Sequence, residues 1–239
     1  MYHIIKRIID VVCASLLLLV LAPFFAILSL WINLESAGPV FFTQLRFGKH
    51  KKPFKIYKFR TMVTSAPKDL PTNSFQTVEQ YITNSGRILR RTGLDELPQI
   101  VNIIKGQMSF IGPRPVVLAE TDLIELRDEY GANACIPGIS GWAQVNGRDE
   151  VETKEKAFMD GIYYKNFGLR MDLRCLFKTL EVLITGYGHR ECYNGDIPIK
   201  ITQLHDTKIK KMYRRISKHT FSNRSKVVLE PDIPKEISQ

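Results

Sequence analysis

The sequence predicts an α+β protein, mostly helical, in which an N-terminal membrane helix precedes one small domain. Three observations lead to this prediction: a charge-free run at residues 11–34, two short aromatic and β-branched runs after it, and later segments with helical periodicity. The chain has 239 residues, 44% of them hydrophobic, which is enough for one such domain and its core. We expect a membrane element at 1–36, a domain at 37–200 and a C-terminal tail at 201–239.

The apolar run at residues 11–34 carries no charge and contains Pro23. At about 1.5 Å per residue, a helix of this length can cross the ~30 Å hydrocarbon core of a bilayer. Lys6 and Arg7 precede the run, and four basic residues follow it: Arg46, Lys49, Lys51 and Lys52. A straight span would place one basic cluster outside, against the cytoplasmic preference of Lys and Arg. Because proline disrupts a helix, two arms could enter and leave on one face. We expect such a re-entrant helix, with a straight transmembrane anchor or a cleaved signal peptide as the alternatives.

Composition limits the partners and the compartment. The formal net charge of +10, from 34 Lys and Arg against 24 Asp and Glu, predicts an anionic partner. With a membrane segment present, membrane lipid and phosphorylated substrates are favoured, and no nucleic-acid partner is expected. The four cysteines, including Cys13 inside the apolar run, form no CxxC pair, which fits a reducing cytoplasm. His189 and Cys192 are too few to indicate a metal site.

Short elements follow the membrane segment. Residues 40–44 and 54–59 flank a turn region with Gly and Pro, which predicts a β-hairpin. The stretch 64–76, with its Pro, Ser and Thr residues, predicts a surface loop. Helices are predicted at 78–89 and 97–105, the second with a basic residue and a glycine at its end.

The second half of the chain alternates between loops and helices. Residues 109–115 and 136–148 hold so much Pro and Gly that we expect loops without regular structure. Helical periodicity returns at 151–167 and 172–184. The apolar residues of the last helix could lie in the core or on a membrane surface, and the core is the default. The six basic residues at 208–218 could bind anionic lipid or simply be solvated.

Asp95 and Glu96 are adjacent carboxylates at the predicted start of the 97–105 helix, with Thr92 placed to cap it. The partial positive charge of a helix start, together with Arg90 and Arg91, would keep Asp95 ionised. An ionised aspartate with nearby cations and a bound metal suits attack on phosphorus, because an anionic electrophile has to be neutralised first. An isolated acidic pair is more often only favourable helix design, so this interpretation depends on its neighbours.

Several cations lie in rigid or tightly turning segments. Lys58 and Arg60 occur in KFRTM, Arg114 stands between two prolines, and Arg148 closes a glycine-rich loop. Arginines held in this way suit bidentate binding of phosphate oxygens, and the loop glycines would let the backbone approach a diphosphate. Taken singly, each cation is more often a structural or surface residue. Trp142 in the same loop could stack on a base or pack inside the protein, with packing favoured.

Five segments carry a resemblance to a known family, in this order: KRIIDVV, GPVFFTQLRFG, FKIYKFRTM, LRRTGLDELPQIVNIIKGQMSFIGPRP and PGISGWAQVNGR. Over residues 6–184 the chain resembles the bacterial sugar transferases, the monotopic phosphoglycosyl transferases, in their minimal form. The resemblance implies a re-entrant helix, a small catalytic domain on the cytoplasmic face of the bacterial inner membrane, and interfacial amphipathic helices. It also implies transfer of a phosphosugar from a UDP-sugar to polyprenyl (undecaprenyl) phosphate with release of UMP. The family often has Ser before the proline of the bend, where this chain has Ala22.

The same resemblance implies residue roles. Asp95 would be the nucleophile that forms a covalent phosphosugar intermediate and helps to bind Mg²⁺, and Glu96 would assist the second half-reaction. Cations in motifs associated with phosphate and nucleotide binding are expected to bind substrate: Lys58, Arg60, Arg90, Arg114 and Arg148. Asp160 and Asp172 also match family aspartates, but no role follows for them.

The sequence therefore predicts a membrane phosphoglycosyl transferase with a ping-pong, Mg²⁺-dependent mechanism. Such an enzyme would start the assembly of a lipid-linked glycan, as in capsule, O-antigen or exopolysaccharide synthesis. Two other classes stay open: a membrane-associated phosphodiester hydrolase, in which the carboxylates activate water, and a non-enzymatic adaptor that binds acidic lipid. The sugar does not follow from the sequence, nor does the choice between monomer and homodimer.

Overall fold

The structure, a computed structural model of the chain, describes residues 1–66, 79–147 and 152–185. Arg148, the His189 and Cys192 pair, most of the predicted 64–76 loop and the basic tail lie outside the described residues. The helices are α1 (Tyr2–Glu35), α2 (Asn84–Thr92), α3 (Ile100–Ile104), α4 (Thr121–Tyr130), α5 (Thr153–Lys165) and α6 (Leu169–Thr185). The strands are β1 (Phe41–Phe47), β2 (Pro53–Phe59), β3 (Ser109–Ile111), β4 (Val116–Val117) and β5 (Gly138–Ser140). A mostly helical chain with small sheets confirms the α+β prediction.

Helix α1 is long and apolar enough to cross a membrane, judged by length and composition alone. It is continuous through Pro23, so the bend and the return to one face stay predictions. One face is covered by the rest of the protein through residues that recur every three or four positions on both sides of the proline: Ala14, Leu18, Leu21, Phe25, Leu28 and Ile32. This spacing is that of a single helix face. Large apolar side chains elsewhere on α1 are exposed.

The predicted hairpin is present. Strands β1 and β2 pair antiparallel with Phe41 opposite Phe59, and β1 ends at Phe47 rather than at residue 44. Strand β4 pairs with β1, so β1 is the middle strand of a three-stranded sheet. Phe54 and Ile56 of β2 point to the same side, as alternate strand residues do, and pack against α1 and α3. One part of the core therefore lies between α1 and this sheet, and another lies between α4 and α5.

The expectation of irregular loops at 109–115 and 136–148 is wrong in part, because β3 and β5 form a parallel pair. Glycines make this close approach of main chains possible. A Cβ on Gly138 would lie 2.1 Å from the Gly112 nitrogen, and one on Gly141 would lie 2.0 Å from the Gly112 oxygen. No side chain fits at such distances. These glycines allow two main-chain segments of the protein to come together. Their contacts give no support to the prediction that the loop backbone approaches a diphosphate.

The observed helices do not begin and end at the predicted residues, and at one of them a capping residue sets the first residue of the helix. The helix predicted at 78–89 begins at Asn84, because the side chain of Thr83 caps it. Residues Glu79–Tyr81 form a separate 3₁₀ turn. Helices α5 and α6 confirm the helices predicted at 151–167 and 172–184, with ends moved by a few residues. Helix α4 has no counterpart among the predicted elements.

The apolar face of α6 is not part of the core. Met171 and Cys175 are buried, but the residues behind the core expectation are exposed: Leu173, Leu176, Phe177, Leu180 and Ile184. The default interpretation of this helix is therefore wrong, because the described part of the chain covers only the side that carries Met171 and Cys175. An apolar face without protein over it is typical of a helix at a membrane surface.

We expect Gly141→Ala to lower the free energy of unfolding by about 2 kcal/mol, because the added methyl group would collide with the Gly112 carbonyl. Gly168→Ala is the matched control, since the nearest atom to its added Cβ is 3.9 Å away. Its effect should stay below about 0.5 kcal/mol. Chemical denaturation in detergent measures both. Equal stability of the two variants would show that the main-chain contact does not require glycine.

Candidate active site

Asp95 and Glu96 lie in a 3₁₀ turn, Leu94–Gln99, between α2 and α3. The expected cap from Thr92 is wrong, because its hydroxyl donates back into α2 instead. Gly93 adopts the left-handed conformation, with φ of 72°, and so ends α2 and starts the turn. Both carboxylates are buried.

Two cations meet at Glu96. Lys58 Nζ lies 2.8 Å from Glu96 Oε1, and Arg114 Nη2 donates to the same oxygen at 2.9 Å. Lys58 is placed by β2, and Arg114 by the Pro-Arg-Pro segment between β3 and β4. Asp95 is less constrained, because its Oδ2 is 3.8 Å from Lys58 Nζ and no described residue donates a hydrogen bond to it.

The two adjacent carboxylates have different electrostatic environments. Burial raises the pKa of Asp95, and the charge of Lys58 only partly offsets this effect. Burial also acts on Glu96, but Arg114 and Lys58 outweigh it and hold the pKa of Glu96 well below its usual range. The expected net stabilisation of the Asp95 carboxylate by a helix start is therefore not found. Glu96 is an anion held by two close ion pairs, whereas the Asp95 carboxylate accepts no hydrogen bond from a described residue.

Arg90 belongs to the same neighbourhood. Its Nε donates to the Thr61 hydroxyl at 2.9 Å, and its charge acts to lower the pKa of Asp95 after the larger effects of burial and Lys58. Arg148, the remaining arginine of the predicted set in the Gly-rich loop, lies outside the described residues. The substrate-binding roles of both arginines stay predictions.

Arg60 is buried and bonds to the protein's own main chain. Its two terminal nitrogens donate to the carbonyl oxygens of Ala37, at 2.9 Å, and Ser36. Arg60 therefore fastens the chain that leaves α1. The substrate-binding role predicted for it has no support in these contacts.

The buried Asp160 supports Arg114 through a second arginine. Asp160 Oδ2 accepts a hydrogen bond from Arg127 Nε at 2.8 Å, and Arg127 Nη1 donates to the Arg114 main-chain oxygen at 2.9 Å. Arg46 Nη1 donates to the next carbonyl, that of Pro115, at 3.3 Å. Burial and the charge of Arg114 lower the pKa of Arg46 to about 10. No sequence pattern indicates Arg127, because α4 is not predicted, and Arg46 is predicted only as a basic flank of the membrane segment.

Asp172 joins the start of α1 to the domain. Its Oδ2 accepts hydrogen bonds from Tyr2 at 2.5 Å and Lys6 at 2.6 Å, and its Oδ1 accepts one from Tyr163 at 2.7 Å. All these partners belong to the protein itself. The described contacts of this aspartate are therefore structural.

Trp142 is buried, which confirms the favoured packing interpretation. The Lys178 ammonium lies 5.2 Å from the centroid of its ring, within the range of a cation–π contact.

A Mg²⁺ ion at this site would have to be held largely by the substrate. Within the described ranges, no group of three or more His, Cys, Asp or Glu side chains could hold a metal. Mg²⁺ often binds through only one or two carboxylates together with substrate phosphates and waters. The Asp95 carboxylate fits this mode, whereas Glu96 is already neutralised by two cations.

This geometry defines a class of site: one buried, unconstrained carboxylate beside a neutralised one, with cations from three segments around them. Such a site suits nucleophilic chemistry on an anionic, phosphate-containing group.

The chain belongs to the bacterial sugar transferase family, which it matches over residues 1–186. The UDP-N-acetylgalactosamine-undecaprenyl-phosphate N-acetylgalactosaminephosphotransferase of Aeromonas hydrophila is 38% identical over 79% of this chain and 46% of that protein. The UDP-glucose:undecaprenyl-phosphate glucose-1-phosphate transferase of Escherichia coli (strain K12) is 38% identical over 74% of this chain and 40% of that protein. A sugar transferase of Bacillus subtilis (strain 168) is 36% identical over 77% of this chain and 90% of that protein. The chain thus spans less than half the length of the first two relatives.

We expect Asp160→Asn to lower the free energy of unfolding by about 3 kcal/mol, because Arg127, with a side chain only 7% exposed, would stay charged without a carboxylate. Asp128→Asn is the control, since it breaks an ion pair with Lys51 whose side chains are 48% and 45% exposed. That change should cost less than about 1 kcal/mol. Urea denaturation measures both. Similar losses in the two variants would contradict the assigned role of the buried pair.

Proposed function

We propose that this protein is a phosphoglycosyl transferase that moves a sugar phosphate from a UDP-sugar to undecaprenyl phosphate and releases UMP. Family membership and the activities for which the relatives are named support the reaction class. The observation that carries the proposal is the difference between two adjacent acids, of which Glu96 is bound by two cations and Asp95 by no described hydrogen bond.

In the first half-reaction, an Asp95 oxygen attacks the phosphorus that bears the sugar. The bond from this phosphorus to the bridging oxygen breaks, and UMP leaves with that oxygen, so a phosphosugar remains on the carboxylate. A nucleophile needs a lone pair that no hydrogen bond occupies, which favours Asp95 over Glu96. Lys58 and Arg114 lie beside the acids and would offset the charge of the diphosphate.

In the second half-reaction, a phosphate oxygen of undecaprenyl phosphate attacks the same phosphorus and the Asp95 carboxylate is released. The lipid product carries the sugar through a diphosphate. We assign Glu96 to this step, where its ion pairs with Lys58 and Arg114 would fix the cations that receive the incoming phosphate. Mg²⁺, held by Asp95 and substrate phosphates, would supply further neutralisation of charge.

The relatives' names give the sugars to be tested first. They include N-acetylgalactosamine and glucose, and a Salmonella typhimurium relative, 35% identical over 75% of this chain, is named for galactose. We propose that the product starts a lipid-linked glycan, as in capsule, O-antigen or exopolysaccharide synthesis.

We further propose that α1 is re-entrant and that the domain lies on the cytoplasmic face of the inner membrane. Both ends of α1 bond to the same domain: Lys6 near its start pairs with Asp172, and Glu35 at its end accepts hydrogen bonds from the start of α2. In a straight span the two ends of α1 would lie on opposite sides of the bilayer, so one domain could not bond to both. Pro23 is on the exposed side of α1. Its ring clashes with the preceding helical turn, so the helix bends away from the side that carries the proline. The favoured bend is therefore concave towards the domain.

The exposed apolar face of α6 supports the same topology. With the apolar outer faces of α1, it gives the protein a surface suited to the boundary between head groups and acyl chains. We propose that α6 is an interfacial helix. A lipid substrate held at this boundary could then reach Asp95 without leaving the membrane.

The reaction is tested by incubating the protein and radiolabelled undecaprenyl phosphate with UDP-N-acetylgalactosamine, UDP-glucose and UDP-galactose. We expect UMP release with one or more donors and a labelled lipid diphosphate product. Free sugar phosphate without lipid product would instead indicate a hydrolase, and no turnover with any donor would contradict the proposal.

We expect Asp95→Asn to reduce UMP release by about 10³-fold or more, because no intermediate can form, whereas Glu96→Gln should keep more of the first half-reaction. Single-turnover UMP release and intact-mass detection of the phosphosugar adduct measure this difference. Glu125→Gln, an exposed change on α4, is the control and should match the parent. A phosphosugar adduct on the Asp95→Asn protein would rule out the assigned nucleophile.

We expect His3→Cys and His50→Cys, each in a background without native cysteines, to resist an impermeant maleimide in intact spheroplasts and to react after permeabilisation. Adding Pro23→Ala restores an amide hydrogen and removes the ring clash, so part of the population should expose one end to the outside. Labelling of one end alone in the Pro23 parent would mean a true span.

A further inference from the structure

Helix α2 begins against a carboxylate from α1. Glu35 Oε1 accepts a hydrogen bond from the Asn84 amide at 2.7 Å, and Glu35 Oε2 accepts one from the Ser85 amide at 2.8 Å. The Thr83 hydroxyl accepts from the Gly86 amide at 3.0 Å. The first three amides of α2, which have no partner within the helix, are therefore all bonded, two of them by α1. A carboxylate at this position also complements the positive end of the helix dipole.

Helix α3 ends against a guanidinium from α1. Arg7 Nη1 donates to the Ile103 carbonyl oxygen at 2.6 Å, and Arg7 Nη2 donates to that of Ile104 at 2.9 Å. Gly106 gives the guanidinium room, since a Cβ there would lie 3.2 Å from Arg7 Nη2. A cation complements the negative end of the helix dipole, so both contacts have the favourable polarity.

The two caps, Glu35 and Arg7, act on the outer ends of one segment. Helix α2, the 3₁₀ turn and α3 follow one another with only Gly93 between them, and Asp95 and Glu96 lie near the middle. Helix α1 also packs along this segment between the caps. Leu97, the residue after Glu96, packs against the core clusters formed by both halves of α1.

We propose that α1 positions the catalytic turn, the 3₁₀ turn Leu94–Gln99, through these two caps. Arg7 and Glu35 are then positioning residues for Asp95 and Glu96. This inference rests on the proposed function and adds a means by which α1 controls the geometry of the site. Between residues 7 and 35 a straight helix measures about 42 Å, whereas the segment 84–104 measures about 33 Å even with its pieces collinear. The Arg7 and Glu35 side chains have to span this difference of about 9 Å, and a bend in α1 would shorten it. A change in the bend of α1 would therefore be transmitted to the acidic pair through the two caps.

A purely stabilising role for the caps has different consequences. Loss of a cap would then lower the stability of the whole protein and leave the kcat of the folded molecules unchanged. A positioning role lowers kcat, because a displacement of about 1 Å can cost about 100-fold in rate. The KM for the UDP-sugar should change little, because neither Arg7 nor Glu35 is among the residues proposed to bind it.

The test uses the full chain in bilayer nanodiscs. The cap variants are Arg7→Gln and Glu35→Gln, with Arg7→Lys as the conservative change. Lys154→Gln and Glu125→Gln remove exposed charges elsewhere and serve as matched controls. Two quantities are measured: kcat and KM with the UDP-sugar that the parent accepts, and amide hydrogen exchange in residues 94–104 and in α4 and α5.

We expect both Gln cap variants to lose about 10- to 100-fold in kcat with less than about a twofold change in KM. Exchange in residues 94–104 should rise about tenfold, while exchange in α4 and α5 stays at the parent rate. Arg7→Lys keeps the charge and a donor, and should recover part of kcat. Unchanged kcat and exchange in both cap variants would overturn the proposal, and so would exchange that rises equally in α4 and α5.

The exchange measurement separates this inference from the proposed function. If the parent released no UMP with any donor, the proposed function would fail, yet exchange at 94–104 would still report whether the caps order the turn. If Arg7→Gln does not fold, the proposal is tested with Arg7→Lys by measuring the same kcat and the same hydrogen exchange in residues 94–104. A local rise in exchange then supports the proposal, and parent-like exchange together with parent-like kcat refutes it.

Discussion

The burial of two adjacent carboxylates is the constraint on which the rest of this structure depends. Asp95 and Glu96 lose their hydration in the turn and repel each other, which costs several kcal/mol unless cations compensate. Lys58 and Arg114 provide that compensation at Glu96. One comes from the edge of the hairpin and the other from a Pro-framed segment, so the two sheets have to converge on the turn. The ion pairs of Glu96 leave Asp95 as the carboxylate without a described hydrogen bond, and this difference is the basis for proposing Asp95 as the nucleophile.

Local patterns in the sequence were sufficient for the hairpin, the helices at both sides of the acidic pair, and the conjunction of Asp95, Glu96, Lys58 and Arg114. What they could not supply was long-range pairing. Arg127 reaches Arg114 from a helix whose pattern gave no signal, and β3 pairs with β5 only because glycines remove side chains at the contact. The position of Thr92 predicts a helix cap, but the left-handed Gly93 next to it ends α2 and starts the 3₁₀ turn instead.

The membrane helix shows a similar limit. Its apolar residues surround it on all sides, so composition indicates lipid but hides the face that packs on the domain. The packed face can be identified only from the structure, where the α1 residues spaced three and four apart contact β2 and α3. The same applies to α6, where apolar residues at helical spacing favour a core position but the described residues leave them exposed. Arg60 illustrates the converse, since a cation in a functional-looking motif is used to hold the main chain after α1.

The bonds at the start of α1 also determine the order in which the molecule can assemble. Arg7 binds a carbonyl 96 residues further along the chain, and Tyr2 binds an aspartate 170 residues further along. At synthesis rates of about 5–20 residues per second, the helix waits on the order of ten seconds or more for its last partner. During that interval the domain-facing side of α1 lacks its partners, so it is as exposed as the outer side. Because α1 is long and apolar enough to cross a membrane, its insertion into a bilayer during that interval would precede its packing against the domain. The turn that carries Asp95 and Glu96 would then form on a helix already held in lipid.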